Sequence, residues 1–294
     1  MAENMHDIKR RITSVESTGH ITNAMKLVAA SKYRKAKEAY DRSNDSLYHL
    51  ALSMSGILED LEDNKDINNL FVEGYKDLRR TCFVIVSSNK GLCGGFNSNI
   101  FKFAEEEIAK RENDPMIITV GKKATDYFSK RGYDIRHSYD APDENFRFSS
   151  TKYVTSRLLT AFEDGRVDEV VVIYTKFVNT LKQEPKARII FPMELDFVKG
   201  LQEKLHGQSM EVEYGPDPLS VMKYLIPKFV EVNLYNAVME STICENIARR
   251  TAMENASDNA NEILEELNLT YNRARQAQIT NELIEIVSGA EALK

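Results

Sequence analysis

The stretch SSNKGLCGGFN, residues 87–97, carries the residue types closest to a chemical site in this chain. It follows the strand-like run TCFVIV and offers glycines at 91, 94 and 95 with Lys90, Asn89 and Cys93. A strand, a glycine-rich turn and a helix form the arrangement in which backbone N–H groups cradle phosphate. That cradle requires GxxxxGK[ST], with the lysine after the glycines; here Lys90 precedes them and the GK[ST] ending is missing. GxGxxG is not matched either, and VGKKAT (120–125) has no glycine upstream at the right distance. The expectation is a tight strand-to-helix turn in which glycine supplies positive φ. Cys93 has the type of a nucleophile, but no base is marked near it. The histidines at 6, 20, 49, 137 and 206 share no ligand spacing, and neither GxSxG nor HExxH occurs. DAPDEN (140–145) brings carboxylates that a cation would accept, against the plainer reading of a solvated loop. No catalytic, cofactor-binding or metal-ligating residue is predicted.

The elements around this turn fall into three segments. Residues 3–58 contain no proline, and Met5, Ile8, Ile12 and Val15 recur at helical steps. Ile21, Met25 and Val28 continue the stripe after a shift, followed by Ala36, Ala39 and Tyr40. At 1.5 Å per residue this helix reaches roughly 80 Å, the length of a coiled coil. In the middle, TCFVIVSS (81–88), MIITVG (116–121) and DEVVVIYT (168–175) read as central parallel strands, short and apolar on both faces. ARIIFPM (187–193) reads as a fourth and YDIR (133–136) as a weak fifth. Helical stretches at 98–112, 122–131 and 150–164 alternate with them, which predicts an open α/β sheet. Residues 59–79 and 138–148 are expected to be loops. GPDPLS (215–220) leads into a last helix, in which Pro227 is expected to kink the chain or mark a new start. Beyond it, Met253, Ala256, Ala260, Ile263, Leu267, Thr270, Ala274, Ala277, Asn281, Ile284 and Ser288 follow a heptad seam.

The predicted fold class is therefore α/β plus a long coiled coil: an open sheet domain inserted between N- and C-terminal helices that pair antiparallel. The boundaries are 1–58 for the first helix, 59–79 for a linker, 80–208 for the α/β domain and 209–294 for the returning helix. Charge fits that pairing. Residues 1–42 carry nine Lys and Arg against five acids, whereas residues 254–294 carry eight acids against three. The net charge of −6 gives no reason to expect nucleic acid as a partner. Cys82, Cys93 and Cys244 are odd in number and distant, the pattern of reduced thiols in the cytoplasm. The N-terminus lacks the apolar core of a signal peptide, and no run approaches the ~18 apolar residues of a membrane span. Membrane association is expected only through partners.

RARQAQITNELIEIVSGAEAL, near the C-terminus, distributes Ile279, Leu283, Ile284, Ile286 and Val287 around much of a helix. Such a helix is surrounded by other protein on several sides.

With IKRRITSVESTGHITNAMKLVAASKYRKA near the start, SSNKGLCGGFNSNI after the first strand and ARRTAMENASDNANEILEELNLTYNRARQAQITNELIEIVSGAEAL at the end, the chain resembles the gamma subunit of bacterial F-type ATP synthases. The resemblance spans nearly the whole chain and is weakest at 59–80 and 138–148. It implies a rotor shaft of a proton-translocating ATP synthase, at the cytoplasmic face of the cell membrane and peripheral to it. The implied partners are the alpha and beta subunits of the head, the epsilon subunit and the proteolipid ring; the catalytic sites lie between alpha and beta. Carried over by position, Lys9 and Arg10 lie in the basic first turns, and Met25 faces the lever region of beta. Arg249, Gln276, Thr280 and Glu282 contact a beta loop, and Ile286 and Val287 enter the apolar sleeve of the head. Three residues depart from the family pattern. Asn89 stands where an aspartate is commoner, and Arg250 and Glu254 stand where an apolar residue and a lysine are frequent. Two other functions compete: an α/β nucleotide-binding enzyme with a coiled-coil dimerisation stalk, and a plain coiled-coil scaffold.

Overall fold

The computed structural model describes residues 5–63, 70–77, 79–111, 113–142, 148–193, 200, 215 and 217–292. Helix α1 (Met5–Asp63) and a short α2 (Leu70–Glu73) precede β1 (Arg80–Val86), α3 (Phe96–Ala109), β2 (Asp114–Val120) and α4 (Lys122–Ser129). Then come β3 (Ile135–Tyr139), α5 (Phe148–Glu163), β4 (Glu169–Phe177), β5 (Gln183–Phe191) and α6 (Pro218–Ala292). The long helices flank a mixed sheet in the chain, as expected. The second half of DAPDEN, residues 143–145, falls outside the described residues. Two compact units emerge: Met1–Ala30 with Arg249–Lys294, and Ser31–Ala248.

In the larger unit the strand order is β3-β2-β1-β4-β5, parallel except for the last pair. Successive side chains of a strand point to opposite faces, and both faces here are covered. Phe83 and Ile85 of β1 and Val171 and Ile173 of β4 pack with Ile100, Phe101 and Phe128 of α3 and α4. Cys82, Val84 and Val86, alternating with them, join Leu47 and Met54 of α1, Leu158 and Phe162 of α5, and Ile226 and Phe229 of α6. Burial on both faces is why β1, β2 and β4 are legible as apolar runs.

Four expectations need correction. Residues 59–79 are not all loop, since α1 continues to Asp63 and Leu70–Glu73 form α2. ARIIFPM belongs to a strand, but to an antiparallel one that begins at Gln183. Only residues 178–182 separate β4 from β5, too few for a parallel crossover. The polar half of β5, Gln183–Lys186, hides its start because an edge strand is not buried on both faces. The weak fifth strand lies at Ile135–Tyr139, so Ser138 and Tyr139 extend a strand rather than a loop. Pro227 marks no new start, since α6 is continuous through it.

A buried polar band in α6 has no counterpart in the sequence reading. Glu231, Asn233, Asn236, Glu240, Ser241, Thr242 and Asn246 are all buried. Arg188 of β5 donates to Asn233 Oδ1 at 2.7 Å and lies 3.6 Å from Glu240 Oε2. Asn246 closes onto its own helix at Thr242 O, 2.8 Å away. Buried charge is tolerated only when paired and hydrogen-bonded, and Arg188 supplies that pairing across the sheet edge.

In the smaller unit two helical segments pair antiparallel. A Cβ at Gly19 would sit 3.7 Å from Ala260 Cβ, and Lys26 Nζ lies 4.0 Å from Glu254 Oε1. Residue numbers of facing positions thus sum to about 280, which places Met5 opposite Ala274. The shift expected at Ile21 does not occur. The seam continues from Ile8 through Ile12, Val15, Gly19, Thr22, Lys26 and Ala29, at unbroken steps of four and three. Ile21 and Val28 are left outside, 59% and 55% exposed. On α6, Met253, Ala260 and Leu267 are buried as expected, but Leu264 and Tyr271 fill the intervening places rather than Ile263 and Thr270. Small residues at Gly19, Ala29 and Ala260 let the backbones approach. The wider apolar side chains of Ile21 and Val28 would hold them apart, and this reverses the choice that apolarity alone suggests.

Candidate functional site

The turn after β1 is built to close on itself. Ser87 Oγ accepts the N–H of Ala124 at 2.9 Å, and Ser88 O accepts that of Lys123 at 3.1 Å. Asn89 Oδ1 accepts from Lys122 N at 3.2 Å and Ala141 N at 2.9 Å, while its amide donates to Ala141 O at 3.0 Å. The first-turn N–H groups of α4 are therefore taken by the turn, and at α3, the helix that follows it, Phe96 N donates to Cys93 O at 3.2 Å. Asn97 Oδ1 likewise accepts Ser88 N at 3.2 Å. Gly121 has φ +108°, and a Cβ there would lie 2.3 Å from Ser87 O, so only glycine allows this approach. Gly94 takes the positive φ expected of the turn. Asn89, the departure noted above, is the staple between the end of β1, the start of α4 and the segment after β3.

Cys93 is buried, with Asn97 Nδ2 3.2 Å from its sulfur. Cys244 packs in the same small cluster with Phe96, and burial pushes its thiol well up. Burial likewise raises the Cys82 thiol to about 12. Thiols held protonated in this way are poor nucleophiles. Among the described residues no group of three His, Cys, Asp or Glu is placed to hold a metal ion.

The residues carried over from the resemblance all lie in the helix-pair unit. Lys9 and Arg10 are exposed near its start, where Asp7 lies 3.6 Å from Arg10. Met25 is half-buried at the flank of the seam, beside the exposed Ile21, Leu27 and Val28. Arg249 is half-buried and Arg250 exposed; Glu254, the other departure, is the partner of Lys26. Gln276, Thr280, Glu282, Ile286 and Val287 occupy a stretch that differs from the rest of the unit. Every residue from Arg275 to Ala290 is exposed, including Ile286 at 68% and Val287 at 60%. The facing register explains it: the described part of α1 ends opposite Ala274. At 100° per residue, positions 276, 280, 282, 286 and 287 fall within roughly 160° of the helix circumference. Thr280 donates to Gln276 O at 2.9 Å and Gln278 to Glu282 Oε1 at 2.9 Å, so the polar members hold their positions locally. The sequence reading did not single out Ile21, Leu27 or Val28 as surface; their signal is that small residues stand at the seam positions beside them.

The sequence model of the ATP synthase family matches residues 4–293. The sodium-ion-specific ATP synthase gamma chain of Acetobacterium woodii is 40% identical over 306 residues, which cover 100% of both chains. The gamma chain belongs to one family with this protein. For Alkaliphilus metalliredigens, the ATP synthase gamma chain is 37% identical over 301 residues, again 100% of each. Solved structures agree in fold. The rotor of the Euglena gracilis mitochondrial ATP synthase superposes with a TM-score of 0.66 at 20% identity, covering 94% of this chain and 98% of that one. The central stalk and c-ring of the Tetrahymena thermophila enzyme gives 0.61 at 23%, covering 81% and 99%. As a gamma chain family member the protein is a subunit of an ATP synthase. Among its described residues no helix is long and apolar enough to cross a membrane.

Proposed function

We propose that this chain is the rotor shaft that couples a membrane ring to the catalytic sites of an alpha–beta head. The observation that carries the reading is the stretch Arg275–Ala290: a helix whose apolar side chains, Ile279, Leu283, Ile284, Ile286 and Val287, are exposed among the described residues. A helix with such side chains requires protein around it. The sleeve of the head is the partner we assign to Ile286 and Val287. Gln276, Thr280, Glu282 and Arg249 then meet a beta loop, Met25 faces the lever region, and Lys9 and Arg10 belong to the basic first turns of the shaft. The helical ends, 1–58 and 209–294, serve as the shaft, and the α/β domain at 80–208 serves as the seat of the epsilon subunit and the proteolipid ring. The complex sits at the cytoplasmic face of the membrane, and this chain holds no catalytic residue of its own.

The mechanism is differential contact. An asymmetric shaft presents a different face to each of three equivalent beta subunits, and each orientation shifts one subunit's conformational equilibrium by the difference in its contact energy. Moving a two-state subunit from nearly all open to nearly all closed takes about 5.5 kcal/mol, a few well-placed polar and apolar contacts. Ion flow turns the ring and hence the shaft; ATP hydrolysis drives the reverse rotation.

Gln276→Ala combined with Thr280→Ala tests the contact assignment. Both residues are exposed on the helix, so thermal unfolding of the isolated chain should hardly move. Coupled ATP turnover of the assembled complex should fall severalfold. Unchanged turnover in an assembled complex contradicts the assignment.

A further inference from the structure

The crevice at the carboxyl ends of the parallel strands, where open α/β sheets ordinarily hold ligands, is closed by the Ser87–Asn89 turn. At the opposite end of the sheet the structure has an open cleft of about 590 Å³ beneath α5. Its position is set by the first residue of β1, the early residues of β2 and β3, and the last turns of α5. The rim carries Arg80, Arg136, His137, Arg157 and Arg166, and Met116 and Ile118 form part of the floor. Four guanidiniums and an imidazole thus converge on one apolar-floored cleft.

Three of the arginines have carboxylates. Arg80 is paired with Asp114, and Arg136 Nε and Arg166 Nη2 each lie 2.8 Å from Asp134 and Asp164 respectively. Arg157 differs. Its Nη1 lies 2.8 Å from Nδ1 and 2.7 Å from Nε2 of His137, and among the described residues no carboxylate pairs with it. A guanidinium set against an imidazole is a poor final partner, because protonation of the ring brings two cations together. Burial, then Arg157 and Arg136, hold the His137 imidazolium below its ordinary range. Tyr139, its ring 6.5 Å from that of His137, is the neighbouring aromatic. An anion seated beside this pair, accepting from the guanidinium and from the ring, would give both a charged partner. The cleft volume falls in the range of small-molecule sites, which combine an apolar lining with a few convergent polar groups.

We propose that this cleft binds a small organic phosphate, the phosphate held by Arg157 and His137 and the apolar body resting over Met116 and Ile118. No residue there is placed for catalysis, so the site is one of binding. The proposal is tested on the chain without its partners, so its failure leaves the shaft reading standing. Its probe is ATP, titrated into the full chain while the histidine ring resonances are followed, with His137→Asn assigning the signal among the five histidines. Saturable binding should raise the pKa of His137, because a bound anion favours the imidazolium. Arg157→Met should weaken binding about tenfold or more, the worth of a charge-assisted hydrogen bond, and Arg157→Lys should restore part of the loss. Pyrophosphate should bind more weakly than ATP, and adenosine should leave His137 unmoved. The proposal fails if His137 does not respond to millimolar ATP. It fails equally if Arg157→Met binds as well as the parent chain, or if the responses fall on His6, His20 or His49 instead. Equal affinity for pyrophosphate and ATP would overturn the part assigned to the floor.

Discussion

Asn89 illustrates how one side chain can decide whether a turn binds phosphate or closes on itself. Its carboxamide oxygen accepts two backbone N–H groups and its NH2 donates to a carbonyl, all in different segments from its own. Asn89→Ala orphans these groups and should destabilise the chain by about 1–3 kcal/mol, the usual cost of partly buried unsatisfied donors. Asn89→Asp keeps the acceptor and places a negative charge at the start of α4, so its cost should be under about 1 kcal/mol. Urea unfolding of both variants checks the pair, and equal losses would contradict the staple. Glu240 makes a second prediction at this scale. Burial raises its pKa, and Arg188 opposes that only in part. The folded state therefore favours the protonated form, and Glu240's contribution to stability is fullest below the ordinary carboxylate value near 4.3. It is lost as pH rises through the raised folded value. The difference in stability between the parent chain and Glu240→Gln should thus shift against the parent chain as pH rises above about 4. A pH-independent difference would show that Arg188 fully compensates the burial.

At the scale of elements, the smaller unit makes a structural prediction. Arg275–Ala290 forms a helix without tertiary cover among the described residues, and helices that lack such packing are marginal in water. Trypsin should cut the isolated chain first at Arg273 and Arg275, and incorporation into an alpha–beta head should protect both bonds. Resistance of the isolated chain at these arginines would mean that the helix is held by something within it. The same comparison of paired and unpaired elements explains what the sequence made legible. β1, β2 and β4 declared themselves because burial on both faces demands apolar runs such as CFVIV and EVVVI. β5 declared only its apolar half, Ala187–Phe191, because an edge strand can carry polar residues such as Glu184 and Lys186 on its exposed side. The antiparallel turn into it became visible only with the strand's true start. The helix pair was legible by period but not by phase: Ile21 and Val28 look like seam residues, and close backbone approach gives the seam to Gly19, Thr22 and Ala29 instead. The polar band Glu231–Asn246 was illegible, because its partner Arg188 lies 45 residues from Asn233 and no local pattern announces the pairing. Of the candidate site, the exposed apolar tail was readable from composition. The individual contact positions came from the family resemblance.

For the whole molecule, the account assigns no chemistry to this chain and a mechanical role within an assembly. Ser87, Ser88 and Asn89 hydrogen-bond within the α/β unit, and the helix-pair unit carries a run of exposed apolar residues from Ile279 to Val287. The most direct measurement mixes the purified chain with the alpha and beta subunits and follows ATPase activity alongside gel filtration. The account predicts a large complex whose activity requires this chain and is absent from the chain alone. Failure to associate, with ATP turnover by the isolated chain, would contradict it.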